Sequence, residues 1–192
     1  MLPTPALAPG QIRIGVAIAV PEPFASELVA ARRRFEDPMA EFIPPHITLL
    51  GPTVINEQDM ADVAEHLRTV AQQVNSFVVH LRSSGTFRPV SQVVFVQVAQ
   101  GIAECEQLEE LVRSGPLQQD LRFHYHPHVT VAHDVPESAL NVAFEDMARY
   151  EASFAVNEIQ LFEHYEDNQW RAVAGFDLTD PFDDQFPTVR LP

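Results

Sequence analysis

Short runs of alternating apolar and polar residues predict β-strands, and longer segments between them show helical spacing. The strand-like run IRIGVAIAV opens the chain, and VVFVQVA lies near its middle. Each is followed by apolar residues that recur every three or four positions, which is typical of amphipathic helices. Helices are predicted over Pro23–Phe35, from Met60 to Val74, over Ala103–Ser114 and around residues 140–147.

Two segments of the chain repeat one pattern. PPHITLLGP (residues 44–52) and HPHVTVAHD (residues 126–134) both contain Pro-His-apolar-Thr within a strand-like run. Each leads through a helical pattern into Ser-Phe and a strand, and then through a turn into another apolar run. The duplication predicts an α+β fold of two pseudo-symmetric lobes, each a small, mostly antiparallel sheet with outer helices.

We expect residues 11–179 to form a single bilobal domain, with a flexible tail at 1–10 and a C-terminal tail at 180–192. The N-terminal segment MLPTPALAPG lacks basic residues and is interrupted by three prolines, unlike a signal peptide. No apolar run approaches the roughly 18 residues that cross a bilayer. The single cysteine, Cys105, permits no disulfide within the chain. These features predict a soluble, cytoplasmic protein.

Charge narrows the classes of function. The formal net charge of −15 argues against binding to long nucleic acid, which depends on neutralising phosphates. All 12 basic residues are arginine, so Schiff-base, phosphate-loop and serine–lysine chemistry are excluded. A nucleic-acid substrate must therefore be small or be held in one local groove.

Each repeated motif places an imidazole beside a hydroxyl. Side chains alternate across a strand, so His46 shares a face with Thr48, and His128 with Thr130. If a pseudo-twofold axis relates the lobes, the two pairs face each other across a central cleft. One histidine can then accept a proton from a nucleophile while the other donates one to a leaving oxygen, with the threonines stabilising a phosphate between them.

The motifs resemble those of the two-histidine (2H) phosphoesterase superfamily, and within it the 2′-5′ RNA ligase-like or cyclic phosphodiesterase branch. The resemblance rests on PHIT, PHVT, the stretch GTFRPVSQVVFVQV and the bilobal repeat, and it covers Ile12 to Leu178. It implies a hydrolase in RNA processing that uses no metal or cofactor and opens 2′,3′-cyclic phosphates of nucleotides or RNA ends. By this resemblance the catalytic residues are His46 and His128, and the phosphate ligands are Thr48 and Thr130.

Other expectations concern the substrate. Many relatives carry an arginine shortly after the second motif, where this chain has His133, and this argues against ligation of a long RNA. We expect a monomer whose partner is a small cyclic-phosphate nucleotide or an RNA terminus. The side chains of Phe87, Phe123 and Tyr125 can stack a base, and Arg88 can hold a second phosphate, although core packing or a surface turn is the commoner role of such residues.

The segment HYHPHVT admits other interpretations. It fits the pattern of histidine-triad nucleotide hydrolases, with His126 as the nucleophile. If His124, His126 and His128 share one strand face, they can also bind a transition metal. Against both stand the proline within the segment and the partner motif at His46. A module that binds a nucleotide or RNA end without catalysis is a further alternative.

Overall fold

The computed structural model describes residues 6–180, which form one eight-stranded sheet and four α-helices. All neighbouring strands run antiparallel, so the predicted α+β class is confirmed. The strands are β1 (Gln11–Ala19), β2 (His46–Asn56), β3 (Phe77–Thr86), β4 (Val93–Gln100), β5 (His128–His133), β6 (Glu151–Val156), β7 (Glu158–His164) and β8 (Trp170–Asp177). The helices are α1 (Phe24–Arg34), α2 (Met60–Ala71), α3 (Ile102–Val112) and α4 (Glu137–Asp146).

The predicted tails, 1–10 and 180–192, lie outside the described residues except for positions 6–10 and 180. The helices begin and end within a few residues of their predicted bounds. Among residues 6–180, no helix combines the length and the apolar character needed to cross a membrane.

Alternation along the strands determines which face of the sheet is covered. Ile47 of β2 and Val129 of β5 are fully buried, and their neighbours two positions on are buried as well. They belong to the same apolar cluster as residues from all four helices. The intervening residues of both strands are only partly buried, because they point to the opposite face. The helix residues in this cluster include Leu28, Leu67, Leu108 and Leu140.

The two motif strands lie at the centre of the sheet. Its strand order is β6-β3-β4-β5-β2-β1-β7-β8. Four strands thus lie on each side of the contact between β2 and β5, which pair only at Ile47 and Val129. We refer to β2, β1, β7 and β8 as the His46 half, and to β5, β4, β3 and β6 as the His128 half.

The two Ser-Phe strands are partners in one half of the sheet. β3 pairs with β6, and Val79 lies opposite Phe154. β3 follows the first motif in sequence, but the short turn into β4 keeps it in the His128 half. In the other half β7 lies beside β1. The sequence pattern did not separate β7 from β6, since only Asn157 lies between them.

Both motif strands carry the same irregularity directly after the threonine. In the β1–β2 pair, Ala17 lies opposite Thr48 and Val16 opposite Leu50, so Leu49 is an extra residue. In the β4–β5 pair, Phe95 lies opposite Thr130 and Val94 opposite Ala132, so Val131 is an extra residue. A bulge bends a strand and redirects nearby side chains. The registers make Ala17 and Phe95 equivalent positions of the two halves.

We predict that Gly85→Ala destabilises the His128 half. A β-carbon at Gly85 would lie 2.6 Å from Cζ of Phe95, well inside van der Waals contact. Overpacking of this kind costs about 1–3 kcal/mol. Urea unfolding of the variant measures this loss. Gly51→Ala is the matched control, because no atom beyond Gly51 and its two chain neighbours lies within 4 Å of a β-carbon built there. Equal stability of the two variants would contradict the prediction.

Candidate active site

The four motif residues form one patch at the centre of the exposed face. Ile47 and Val129 are paired in antiparallel register, which places His46 opposite Thr130 and Thr48 opposite His128. Directly opposite residues have β-carbons about 4.5–5.5 Å apart. The two imidazoles therefore occupy one diagonal of the patch and the two hydroxyls the other. All four side chains are partly exposed.

Both imidazoles are held by the same backbone contact. Nδ1 of His46 lies 2.7 Å from the carbonyl oxygen of Pro44, and Nδ1 of His128 lies 2.7 Å from that of His126. A carbonyl can only accept a hydrogen bond, so Nδ1 carries the proton in each ring. In the neutral imidazole the lone pair is then on Nε2. Each histidine thus has an Nε2 atom that can take up or release a proton.

The surroundings of the two rings keep them neutral. The pKa of His128 is lowered from 6.5 to about 4, mainly by burial and to a smaller extent by positive charge on His126 or His46, while the hydrogen bond to the His126 carbonyl acts in the opposite direction. Burial also lowers the pKa of His46, and the Arg32 cation acts in the same direction. A bound anion stabilises the protonated form of a nearby imidazole. Binding of a phosphate therefore raises the pKa of both rings.

A buried ion pair supports the segment before His46. Arg32 and Asp37 are 4% and 5% exposed, and Nε of Arg32 donates to Oδ2 of Asp37 at 2.9 Å. Nη1 of Arg32 also donates to the carbonyl oxygen of Ile43, next to Pro44. The guanidinium thus connects α1 to the residues that hold the His46 ring. No sequence pattern marks Arg32, because a run of arginines at the end of a helix is ordinarily solvent-exposed.

Aromatic rings surround His128. Phe87 and Phe95 have ring centroids 4.9 and 5.0 Å from that of His128, and 4.4 Å from each other. The His126 ring is roughly parallel to that of His128 at 6.4 Å. Phe87, proposed from the sequence to stack a base, therefore packs against the histidine itself.

The other predicted substrate residues have protein partners. The hydroxyl of Tyr125 donates to the backbone oxygen of Thr48 at 2.9 Å, and burial raises the pKa of this phenol. Arg88 donates to Oδ1 of Asn141 at 2.7 Å and to Thr86. Phe123 is 60% exposed, with the guanidinium of Arg122 over its ring. The structure brings none of these three into the patch, and their roles toward substrate remain predictions.

His124 and His126 precede β5, which begins at His128, so the three histidines do not share a strand. Both side chains are exposed, and Pro127 is buried at the strand entrance. Among residues 6–180, no three His, Cys, Asp or Glu side chains are grouped closely enough to hold a metal ion. The proline interrupts the alternation that the histidine-triad and metal interpretations require.

A pocket of about 330 Å³ opens beside His46 and Thr48. Small residues of β1 and aromatic residues of β7 and β8 line it. None of these was predicted, since a small residue in a strand carries no signal of a binding site. The principal lining residues are Gly15, Ala17, Ile43, His133, Phe162 and Trp170.

The antiparallel sheet with two central His-x-Thr strands is that of a two-histidine phosphoesterase. A model of the 2′-5′ RNA ligase superfamily matches residues 20–168, so the chain belongs to that superfamily. This confirms the family that the motifs predicted.

Similar proteins support the assignment. A protein of Halalkalibacterium halodurans with the provisional name phosphoesterase is 28% identical, over 85% of this chain and 96% of the relative. A similarly named protein of Bacillus licheniformis is 24% identical, over 84% and 96%. The crystal structure of E. coli LigT with 3′-AMP has a TM-score of 0.66 at 20% identity, covering 89% of this chain and 99% of LigT. The apo form of LigT has a TM-score of 0.63 at 21% identity, covering 88% and 99%. The LigT structures share the fold.

We predict that both motif imidazoles titrate below their ordinary pKa. Followed by NMR in the ligand-free protein, the His128 ring should titrate near pH 4 and the His46 ring below 6.5, with the proton of the neutral form on Nδ1. In His126→Ala the midpoint of His128 should rise, because a neighbouring positive charge is removed. A midpoint at or above 6.5 for His128 in the unsubstituted protein would contradict the burial argument.

Proposed function

We propose that this protein is a metal-independent phosphoesterase that hydrolyses a 2′,3′-cyclic phosphate of a nucleotide or an RNA end. The observation that carries the proposal is the central patch, in which two neutral imidazoles and two hydroxyls share one face of the sheet. In its neutral and protonated forms, this set of groups can supply a base, an acid and two hydrogen-bond donors to one phosphate.

In the proposed reaction, Nε2 of one neutral histidine accepts a proton from water, and the oxygen of that water attacks phosphorus. The bond from phosphorus to one ribose oxygen breaks, and that oxygen takes a proton from Nε2 of the other, protonated histidine. The product is a ribose monophosphate monoester with a free neighbouring hydroxyl. Thr48 and Thr130 donate hydrogen bonds to the non-bridging oxygens as charge develops on them.

The phosphate itself supplies the right protonation state. In the free site both rings have lowered pKa values, so a proton on either is weakly held near neutral pH. The anionic phosphodiester raises the pKa of the adjacent imidazoles and stabilises a proton on one of them. The acid is thus formed when substrate binds, and no metal ion is needed to neutralise the phosphate.

Comparison supports a small nucleotide as the substrate. Structures of E. coli LigT have been determined with 3′-AMP, with ATP and with NADP+. We extend to this chain the inference that the cleft accepts a nucleotide or the end of an RNA. The net charge of −15 fits a ligand with few phosphates better than a long polyanion.

Replacing either motif histidine with alanine should lower turnover of a 2′,3′-cyclic nucleotide by about 10²–10⁴-fold, the usual contribution of a general acid or base. Thr48→Ala and Thr130→Ala should each cost less, because water can partly replace a hydroxyl donor. His126→Ala is the matched control and should cost less than tenfold. Steady-state assays in EDTA, on variants checked for folding by circular dichroism, measure these effects.

Three outcomes would contradict the proposed mechanism. Full activity of His46→Ala combined with loss of activity in His126→Ala would transfer the assignment to a histidine-triad nucleophile. Loss of the unsubstituted protein's activity in EDTA, restored by zinc or manganese, would replace the metal-independent mechanism. Binding of the cyclic nucleotide without any turnover would leave a non-catalytic binding module.

Acid–base catalysis by these two rings predicts a specific pH dependence. The base must be neutral and the acid protonated, so kcat/KM should be bell-shaped, with limbs set by the free enzyme. Because the pKa of His128 is about 4 and that of His46 is below 6.5, the maximum of kcat/KM should lie below pH 6.5. The alkaline limb of kcat should lie at higher pH, since bound phosphate stabilises the protonated ring. A kcat/KM that rises through pH 8 would contradict this.

A further inference from the structure

The two halves of the sheet differ next to their motifs. Beside Thr130 in the His128 half lies Phe95, whose ring packs on His128 and on Phe87. The equivalent position beside Thr48 in the His46 half is Ala17. One half therefore fills the space next to its histidine with an aromatic ring, and the other leaves it open.

The open space is the pocket of about 330 Å³ beside His46. It is lined by the small residues Gly15 and Ala17 and by the aromatic residues Phe162 and Trp170. This volume is at the lower end of the range for small-molecule sites, which are about 300–1,000 Å³. The lining is mainly apolar, with the polar groups of His46, Thr48 and His133 in addition.

The indole of Trp170 is held in place by its neighbours. Its ring centroid lies 5.0 Å from that of His164, and its backbone N–H donates to the carbonyl oxygen of Phe42 at 3.2 Å. A β-carbon at Gly15 would lie 3.2 Å from Cζ3 of the indole, so the glycine allows the ring to approach β1 closely. A fixed aromatic surface of this kind suits a planar ligand.

We propose that this pocket binds the nucleobase of the substrate while its phosphate lies on the central patch. The inference rests on the proposed function and adds the orientation of the substrate, with the nucleoside on the His46 side. A base stacks on aromatic side chains and tolerates an apolar lining, because every base has a planar π-face. The pocket adjoins His46 and Thr48, so a nucleotide can reach the pocket and the patch at once. Phe87 and Phe95 close the equivalent place in the His128 half.

Trp170 allows a direct measurement, because it is the only tryptophan in the chain. Adenosine 3′-monophosphate should produce a saturable change in the fluorescence of the unsubstituted protein, and inorganic phosphate should not. The change arises when a base stacks on or near the indole. Absence of a saturable change, at nucleotide concentrations that shift the NMR signals of His46 and His128, would overturn the proposal.

Ala17→Phe tests the pocket by introducing the residue found at the equivalent position of the other half. The ratio of kcat/KM for adenosine 2′,3′-cyclic phosphate to that for a cyclic phosphate of ethylene glycol, which has no base, should fall about 10- to 100-fold, the effect of losing one stacked base. Ala155→Phe is the matched control, since Ala155 is an exposed residue of the outer strand β6, and it should leave the ratio unchanged. If Ala17→Phe does not fold, Ala17→Val and Trp170→Ala are tested for the same fall.

The possible results distinguish a failure of the base-pocket proposal from a failure of the proposed function. If the unsubstituted protein cleaves both cyclic phosphates and the folded Ala17 variants keep the same ratio, the pocket is not the base site and the proposed function stands. If it cleaves neither substrate, the proposed function fails. The fluorescence titration then still decides, because a saturable response that is lost in Ala17→Phe supports the pocket and no response overturns it.

Discussion

The site depends on one contact, the pairing of Ile47 with Val129 at the centre of the sheet. It is the only residue pair between β2 and β5 in the described strands, yet it sets the register of both motifs. A shift of one residue would turn every side chain of a strand to the opposite face. Burial of both residues against the helices resists this shift, because a slip would place the motif histidine and threonine in the apolar core. The hydrogen bond from Tyr125 to the backbone of Thr48 is a second link across this junction.

The two motifs on either side of this junction are equivalent in sequence, but the residues around their histidines differ. In the His128 half, Phe87 and Phe95 bury the imidazole and contribute to its low pKa. In the His46 half, Gly15 and Ala17 leave a pocket beside the imidazole. That ring is held by the carbonyl oxygen of Pro44, and Arg32 binds the carbonyl oxygen of the preceding residue, Ile43. One half therefore supplies a histidine packed against two phenylalanine rings, and the other supplies a histidine next to space for a ligand.

The sequence was sufficient to predict the class of fold, the duplicated motif and the face that each motif presents, because these follow from local patterns. Alternation alone places His46 with Thr48. The assignment of β3 to the His128 half was not predictable, since the pairing of distant strands depends on the packing of the whole sheet. The pocket was not predicted for a related reason. Ala17 indicates open space only when it is compared with Phe95, the residue at the equivalent position of the other half. The hydrogen bond from the hydroxyl of Tyr125 to the backbone of Thr48 was not predictable either, and the proposed role of Tyr125 in stacking a base stays a prediction.

The central claim is that one phosphate lies between the two motifs and is contacted by both. A crystal structure with adenosine 3′-monophosphate bound tests it most directly. We predict a single phosphate whose oxygens lie within hydrogen-bonding distance, about 2.6–3.2 Å, of Nε2 of both histidines and of both threonine hydroxyls. A phosphate bound by only one motif, or at the histidines before β5, would contradict the account.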